Sequence, residues 1–246
     1  MFDLYIHSNL KNHIPAKVSE YSFRKHNPSL KTTIINLEDL SLLSNCHGKL
    51  FRRGNTKCKL NIHSSQSFFF VRFICTAIHN NSKNKWILII DPDIFCLQPI
   101  MKDLNSYIIS AEKQGKHIIA VKENNVYLSS FMLVNTEKIT WSENYIVDTI
   151  FNKLEDGDNY MLLKKYNNVC FEIPNIFNSY DFLSTNTKCL HTSLTDTQPW
   201  KTGIRYRKSD LHNKIPHKNE PFDQIFQPHK DPNITNVFFS LFKEAY

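Results

Sequence analysis

Residues 86–95 read Trp-Ile-Leu-Ile-Ile-Asp-Pro-Asp-Ile-Phe, and no other stretch constrains the fold as much. The first half is apolar without alternation, the pattern of a strand covered on both faces, as in a parallel sheet flanked by helices. The run then stops in two carboxylates spaced i and i+2. In extended backbone such residues project to the same side. Pro92 holds Asp91 towards an extended conformation and donates no hydrogen bond, which suits a strand end. Asp91 and Asp93 are therefore expected to face one spot at the carboxyl edge of a sheet, where open α/β sheets bind ligands.

Two carboxylates so close repel, and one would hold a proton unless a cation intervenes. A hard divalent ion with oxygen ligands removes that conflict and can stabilise a diphosphate as it leaves. Taken alone, the segment leaves a second reading open. Asp and Pro are common turn formers, so a solvated Asp-Pro-Asp turn after a strand also fits.

Around this segment strand and helix signals alternate, as in an α/β sandwich. Residues 4–8 read as a short strand. Asn12 is a candidate cap for the helix that follows, Pro15 suits its first turn, and Ile14, Val18 and Tyr21 fall on one face. Residues 32–37 form a β-branched run, expected as a second strand. Residues 46–61 are polar and basic, with Gly48 and Gly54, and read as a loop. Residues 66–79 have the all-round apolar character of a buried helix. Residues 117–121 and 131–134 are further continuous apolar strands, and 169–173 and 188–191 weaker ones. From about Thr202 the chain turns polar, then ends in an apolar helical stretch at 236–246. The expected fold is α/β: a single domain over residues 1–203, with a mainly parallel twisted sheet and helices on both faces. Residues 204–246 are expected as a C-terminal extension, a basic loop plus a terminal helix.

The 246 residues are 41% hydrophobic and 13% aromatic with only five glycines, so a sizeable core is available and disorder is a poor description of the chain. Thirty Lys and Arg against 23 Asp and Glu give a formal charge of +7, which attracts polyanions, nucleotides or anionic headgroups. Nucleic acid is disfavoured as a partner. Such a binder needs a stripe of cations or regularly spaced stacking aromatics, and the basic residues here are scattered. Local density occurs only at Arg205, Arg207 and Lys208 and across 214–218. The six cysteines lack C-x-x-C spacing, which argues against structural zinc. Reduced thiols in a cytoplasmic protein are expected, with Cys75 and Cys189 as small core residues. Residues 1–9 lack the pattern of a signal peptide. The longest apolar run, 68–78, is broken by Arg72 and is far short of the ~20 residues a bilayer span needs.

Residues 89–94, Ile-Ile-Asp-Pro-Asp-Ile, resemble the D-x-D metal motif that ends a core strand in the family 8 glycosyltransferases. That family has the GT-A fold and includes glycogenin and bacterial galactosyltransferases. A second stretch, Cys189-Leu190-His191-Thr192 followed by Gln198-Pro199-Trp200, resembles the family's late histidine and its Lys-Pro-Trp-like signature. The two motifs occur in the family's order, which is more specific than either alone. The resemblance implies Asp91, Asp93 and His191 as protein ligands of a manganese (Mn2+) or magnesium (Mg2+) ion. It also implies donor-binding residues. These are His7, Ser8 and Asn9 at the base and ribose; Arg72 on the helix before the D-x-D strand; Asp91 and Pro92; Ser129 and Ser130 beside the donor sugar; Asp158 in the donor pocket; and Gln198, Trp200 and Lys201. The implied activity is transfer of a sugar from a nucleotide-diphosphate sugar, above all a UDP-sugar, to a glycan or lipid-linked acceptor, with retention of anomeric configuration.

The departures carry information too. Gln198 stands where the family has a lysine, at one residue longer spacing from the histidine, so diphosphate contact is expected from Lys201 or Arg72. Asp158-Asn159 stands for the family's Asp-Gln pair, and no residue stands out as a nucleophile. Two other functions stay open. A nucleotidyltransferase of related fold would want a glycine-rich basic loop after the first strand, and Asn9-Leu10-Lys11-Asn12 has no glycine. A non-catalytic nucleotide-sugar or carbohydrate-binding module is kept open by Gln198. For residues 202–246, cationic side chains beside an apolar helix raise the expectation of peripheral membrane contact. The competing expectation is a terminal helix that docks its phenylalanines onto the domain.

Overall fold

The computed structural model of the chain describes residues 1–62, 64, 67–79, 84–207 and 220–246. Its centre is a six-stranded sheet of order β2-β1-β5-β8-β7-β9. Strands β1 (Phe2–Ser8), β2 (Thr32–Asn36) and β5 (Trp86–Ile90) run parallel. Strand β8 (Val126–Asn135) runs against β5 and against β7 (Ile118–Glu123), and β7 is parallel to β9 (Cys170–Ile173). The sheet is thus mainly parallel, with β8 as the reversed strand. Strand β5 is central, paired on one side with β1 and on the other with β8.

Successive side chains of a strand alternate between faces, and here both faces are covered. Trp86, Leu88 and Ile90 pack with Leu4 and Ile6 of β1, with Phe23 of helix α1 (His13–His26), and with Leu104 and Ile108 of a long helix before β7. Ile87 and Ile89 point the other way, into a layer with Phe73 and Ile74 of α2 (Val71–Ile78). All five β5 residues are buried, which is why the run is continuously apolar. Each such burial contributes about 1.5–3 kcal/mol. The long helix, α3 (Met101–Lys113), also supplies Glu112, which accepts a 2.8 Å hydrogen bond from Trp86 Nε1. The partly polar indole is thereby satisfied at the start of the central strand.

Three local expectations change. Asn12 does not cap α1 through its side chain. Asn9 Oδ1 accepts instead from the Asn12 amide at 3.1 Å, which fixes a 3-10 turn over Leu10–Asn12 ahead of the helix. In α1 itself Val18 is buried but Ile14 is 47% exposed, because the buried stripe runs through Ala16, Ser19, Ser22 and Phe23. Residues 46–61 contain a hairpin, β3 (Leu50–Arg53) with β4 (Thr56–Lys59). Gly54, at φ +55°, makes its tight turn. The helix expected over 66–79 divides into a 3-10 turn, Ser67–Phe70, and the α-helix from Val71, with Gln66 outside the described residues.

A small second sheet, β10 (Ser179–Tyr180), β11 (Cys189–His191) and β6 (Ile94–Cys96), continues from the D-x-D segment. Ser19 Oγ of α1 donates to Ile94 O at 2.6 Å and Ser22 Oγ accepts from Cys96 N at 2.9 Å, fastening β6 to α1. Beyond it, β12 (Arg205–Tyr206) pairs with β13 (Gln224–Ile225). The chain ends in α4 (Pro232–Ala245), capped by Asp231. Phe238 and Leu241 of α4 are buried with Val18 and Phe95. The apolar face that raised membrane contact is therefore used in packing. Among the described residues no helix is long and apolar enough to cross a membrane. Arg207 lies over the Phe222 ring at 4.1 Å, and Lys208 and 214–218 fall outside the described residues. All six cysteines are free, with Cys75 and Cys189 buried.

Candidate active site

Asp91 follows β5 directly, and its amide extends the ladder by donating to Ser130 O at 3.0 Å. Asp93 precedes β6. Antiparallel pairing of β6 with β11 sets His191 opposite Ile94, and so beside Asp93. One ligand atom from each of Asp91, Asp93 and His191 lies within 4.8 Å of the others. His191 Nε2 is 3.4 Å from Asp93 Oδ1 and 4.0 Å from Asp91 Oδ2.

Asp91 and His191 are each held by partners behind them. Asp91 Oδ1 is 2.7 Å from His7 Nε2 and 2.9 Å from Arg72 Nη2. Burial pushes the Asp91 carboxyl up, but Arg72 and His7 outweigh it and hold it down at about 2. Asp91 is therefore an acceptor, and His7 Nε2 the donor. Burial first, and then the Arg72 charge, lower the His7 pKa against the pull of Asp91, which favours the neutral imidazole. His191 Nδ1 is 2.9 Å from Asn178 Oδ1. The Asn178 amide donates to Ser130 Oγ and the Tyr180 hydroxyl, which fixes its oxygen towards His191. His191 thus donates through Nδ1 and turns Nε2 to the carboxylates, the arrangement usual for a metal-ligating histidine. Burial works against its protonation, yet Asp93 and Asp91 raise its pKa overall.

The residues fit a cation. Asp93 Oδ1 is buried with no hydrogen-bond partner, and a buried polar atom without a partner calls for an explanation. Two carboxylates and an imidazole form a suitable donor set for Mn2+ or Mg2+. The cluster opens on a cavity of about 300 Å³ that Arg72, Ser129, Ser130, Tyr180, Gln198 and Lys201 also line. Lys201 is 8% exposed. Its ammonium lies 5.3 Å from the centre of the Phe226 ring and makes no hydrogen bond or ion pair with the described residues. Burial draws its pKa down to about 8, opposed by the nearby Asp93.

No family model matches the sequence, and no curated protein matches it. Solved structures do match the fold. The galactosyltransferase LgtC, in complex with donor and acceptor sugar analogues, superposes with a TM-score of 0.56 at 10% identity, covering 99% of this chain and 96% of that one. An active-site mutant of LgtC gives 0.58 at the same identity and coverage. The glycosyltransferase GlyE of Streptococcus pneumoniae TIGR4 gives 0.54 at 15% identity, over 99% of this chain, which spans only 64% of GlyE.

The fold is GT-A.

Within this GT-A chain the expected site residues separate into two groups. Arg72, Asp91, Asp93, Ser129, Ser130, His191, Gln198 and Lys201 line the cavity. The others stand away from it. His7 is fully buried behind Asp91, and Ser8 Oγ donates to Asn9 O. Asn9 donates to Ser64 O and caps the turn before α1. Pro92 is buried in the strand-end turn. Trp200 packs on Phe95 and Phe238. Asp158 pairs with Arg53, which does line the cavity. Sequence reading did not find Tyr180, whose ring lies 4.6 Å from that of His191 at 35° and whose hydroxyl meets Ser130 Oγ at 2.7 Å. It also gave Asn12 a capping role alone, although Asn12 lines the cavity. Tyr180 lies in a two-residue strand, too short to leave a sequence pattern that could have singled it out.

Proposed function

We propose that the protein is a metal-dependent glycosyltransferase that moves a sugar from a nucleotide-diphosphate sugar to a glycan or lipid-linked acceptor. The observation that carries this reading is the convergence of Asp91, Asp93 and His191, within 4.8 Å, from motifs far apart in sequence, at the edge of a cavity that is also lined by Lys201, a lysine with no ion-pair partner among the described residues. Asp91, Asp93 and His191 would hold Mn2+ or Mg2+. Bound there, the ion supplies positive charge to the diphosphate leaving group.

The chain's own residues take the remaining roles. Lys201 presents an ammonium to the phosphates. Arg72 spends its guanidinium on Asp91, Ser129 Oγ and Phe69 O, so it fixes the first carboxylate rather than grasping the donor. Ser129 and Ser130 form the wall beside the donor sugar, and Tyr180 and Asn178 set the Ser130 hydroxyl. Preference for uridine and retention of configuration rest on the family resemblance. Residues 204–246 stay in this reading as an extension that braces the site, with nucleic acid and membrane outside it.

The test is a thermal-shift panel of nucleotide sugars with and without manganese. Stabilisation by uridine diphosphate sugars that requires manganese, and is lost in Asp93→Asn, supports the reading. An Asp93→Asn protein that still binds a nucleoside diphosphate as the parent does in manganese would defeat it. Preference for guanosine donors in competition would reject only the uridine part.

A further inference from the structure

Gln198 closes a ring of hydrogen bonds around Asp93. Its Nε2 donates to Asp93 Oδ2 at 2.7 Å and to Thr192 O at 2.9 Å. Thr192 returns to the same residue, its amide and its hydroxyl both donating to Asp93 O, at 3.0 and 3.2 Å. Both contacts of the Gln198 amide are to oxygen acceptors, so the nitrogen must face them and its orientation is fixed by chemistry. Gln198 is 3% exposed, and its Oε1 is left buried without a partner. An unpaired buried carbonyl costs about 1–3 kcal/mol. A Met or Leu would fill the same space but would strip this donor from Asp93 Oδ2 and Thr192 O, so the residue is accounted for by its amide and not by its bulk. What the amide accomplishes is local: it occupies Oδ2 of Asp93 and leaves Oδ1 as the oxygen 3.4 Å from His191 Nε2.

We propose that Gln198 is a positioning residue of the metal site. It holds the Asp93 carboxylate in the rotamer that turns Oδ1 to the cation, and it does so with a neutral donor that leaves the carboxylate's charge to the ion. The ring through Thr192 also couples Asp93 to the backbone just beyond His191, so two ligands from distant parts of the chain keep one geometry. This inference rests on the cation reading above.

The test is titration with Mn2+ followed by electron paramagnetic resonance, with uridine diphosphate present, on the parent, Asp93→Asn, Gln198→Met and Gln198→Ala. Methionine fills the space of glutamine but donates nothing. Loss of a residue that orients a metal ligand typically weakens affinity roughly 10- to 100-fold. That loss is expected in Gln198→Met, together with an altered bound-manganese spectrum, which a purely structural role would not change. Where Gln198→Met fails to fold, Gln198→Ala, whose vacated space admits water, decides by the same readout. If folded Gln198 variants bind manganese within twofold of the parent with an unchanged spectrum while Asp93→Asn has lost it, Gln198 is not a positioning residue and the metal reading stands. If Asp93→Asn itself binds manganese as the parent does, the metal reading fails and this inference with it.

Discussion

Arg72 and Asp91 share a buried salt bridge in which a single guanidinium nitrogen, Nη2, lies 2.9 and 3.2 Å from the two carboxylate oxygens. The other guanidinium nitrogens reach Ser129 Oγ at 2.8 Å and Phe69 O at 3.0 Å. One side chain thus fastens helix α2, strand β8 and the strand-end carboxylate. Breaking a buried pair leaves the remaining charge uncompensated and costs about 3–5 kcal/mol. Arg72→Met is expected to lower the unfolding free energy by that order in urea titrations. A loss under about 1 kcal/mol would show that the pair contributes no more than an exposed one.

The same residues show what sequence could and could not reveal. The β5 run was legible because burial on both faces removes alternation, and Asp91 and Asp93 were legible because spacing alone puts them on one side. His191 became visible only through the motif that follows it. The hairpin over 50–59 was hidden: of β3 only Phe51 is buried, so the strands are polar, and a Gly-Asn pair at 54–55 was the sole cue. The capping role of Asn9 was hidden for another reason. A 3-10 turn sits between it and α1, so the residue that starts the helix is not the one adjacent to it. The backing of Asp93 by Gln198 depends on tertiary contact across 105 positions, which no local pattern encodes.

Lys201 gives the site a pH dependence of known sign. Burial lowers its pKa to about 8, with Asp93 opposing and Lys11 adding to the fall. It is charged below that value and neutral above it, and only the charged form attracts a diphosphate. Affinity for uridine diphosphate in manganese is expected to fall as pH rises through about 8. Asp91, held at about 2, does not titrate there. Lys201→Arg, charged throughout, should flatten the profile, and Lys201→Met should weaken binding at neutral pH by roughly ten- to hundredfold, the worth of a charged hydrogen bond. Calorimetric titration across the neutral and mildly alkaline range reads both. An unchanged slope in Lys201→Arg would assign the dependence to another group.

Asp181 anchors the loop that carries Ser193 into the cavity wall. Its Oδ2 accepts from Ser193 N, Ser193 Oγ and Leu194 N at 3.1, 2.6 and 3.1 Å. Its Oδ1 is 3.3 Å from His229 Nε2 of the extension. Its backbone is left-handed, φ 46°, which a side chain tolerates at a cost of about 1–2 kcal/mol. Asp181→Ala removes the acceptors and keeps the strain, and about 2–4 kcal/mol of stability should be lost. Asp181→Gly removes the acceptors but relieves the strain, and should lose about 1 kcal/mol less. Equal losses in urea titration would mean that the backbone here is unstrained.

The terminal helix decides what residues beyond the late motif are for. Phe238 is 1% exposed, with its ring 5.5 Å from Phe95 and 5.1 Å from Trp200. Trp200 lies in the 3-10 turn Pro199–Lys201, so α4 supports the turn from which Lys201 enters the cavity. Phe239, the next residue, is 42% exposed and serves as the control. Phe238→Ala is expected to cost about 3–5 kcal/mol, as for other buried phenylalanines, and Phe239→Ala under about 1 kcal/mol. Removing residues 232–246 would expose Val18, Phe95 and Trp200 together, so the truncated chain should unfold or lose uridine diphosphate affinity along with stability. A truncated protein that keeps both the parent's melting temperature and its nucleotide affinity would show the helix to be an appendage. Binding to anionic vesicles that Phe239→Ala weakens, with Phe238→Ala leaving stability unchanged, would return the helix to a membrane role.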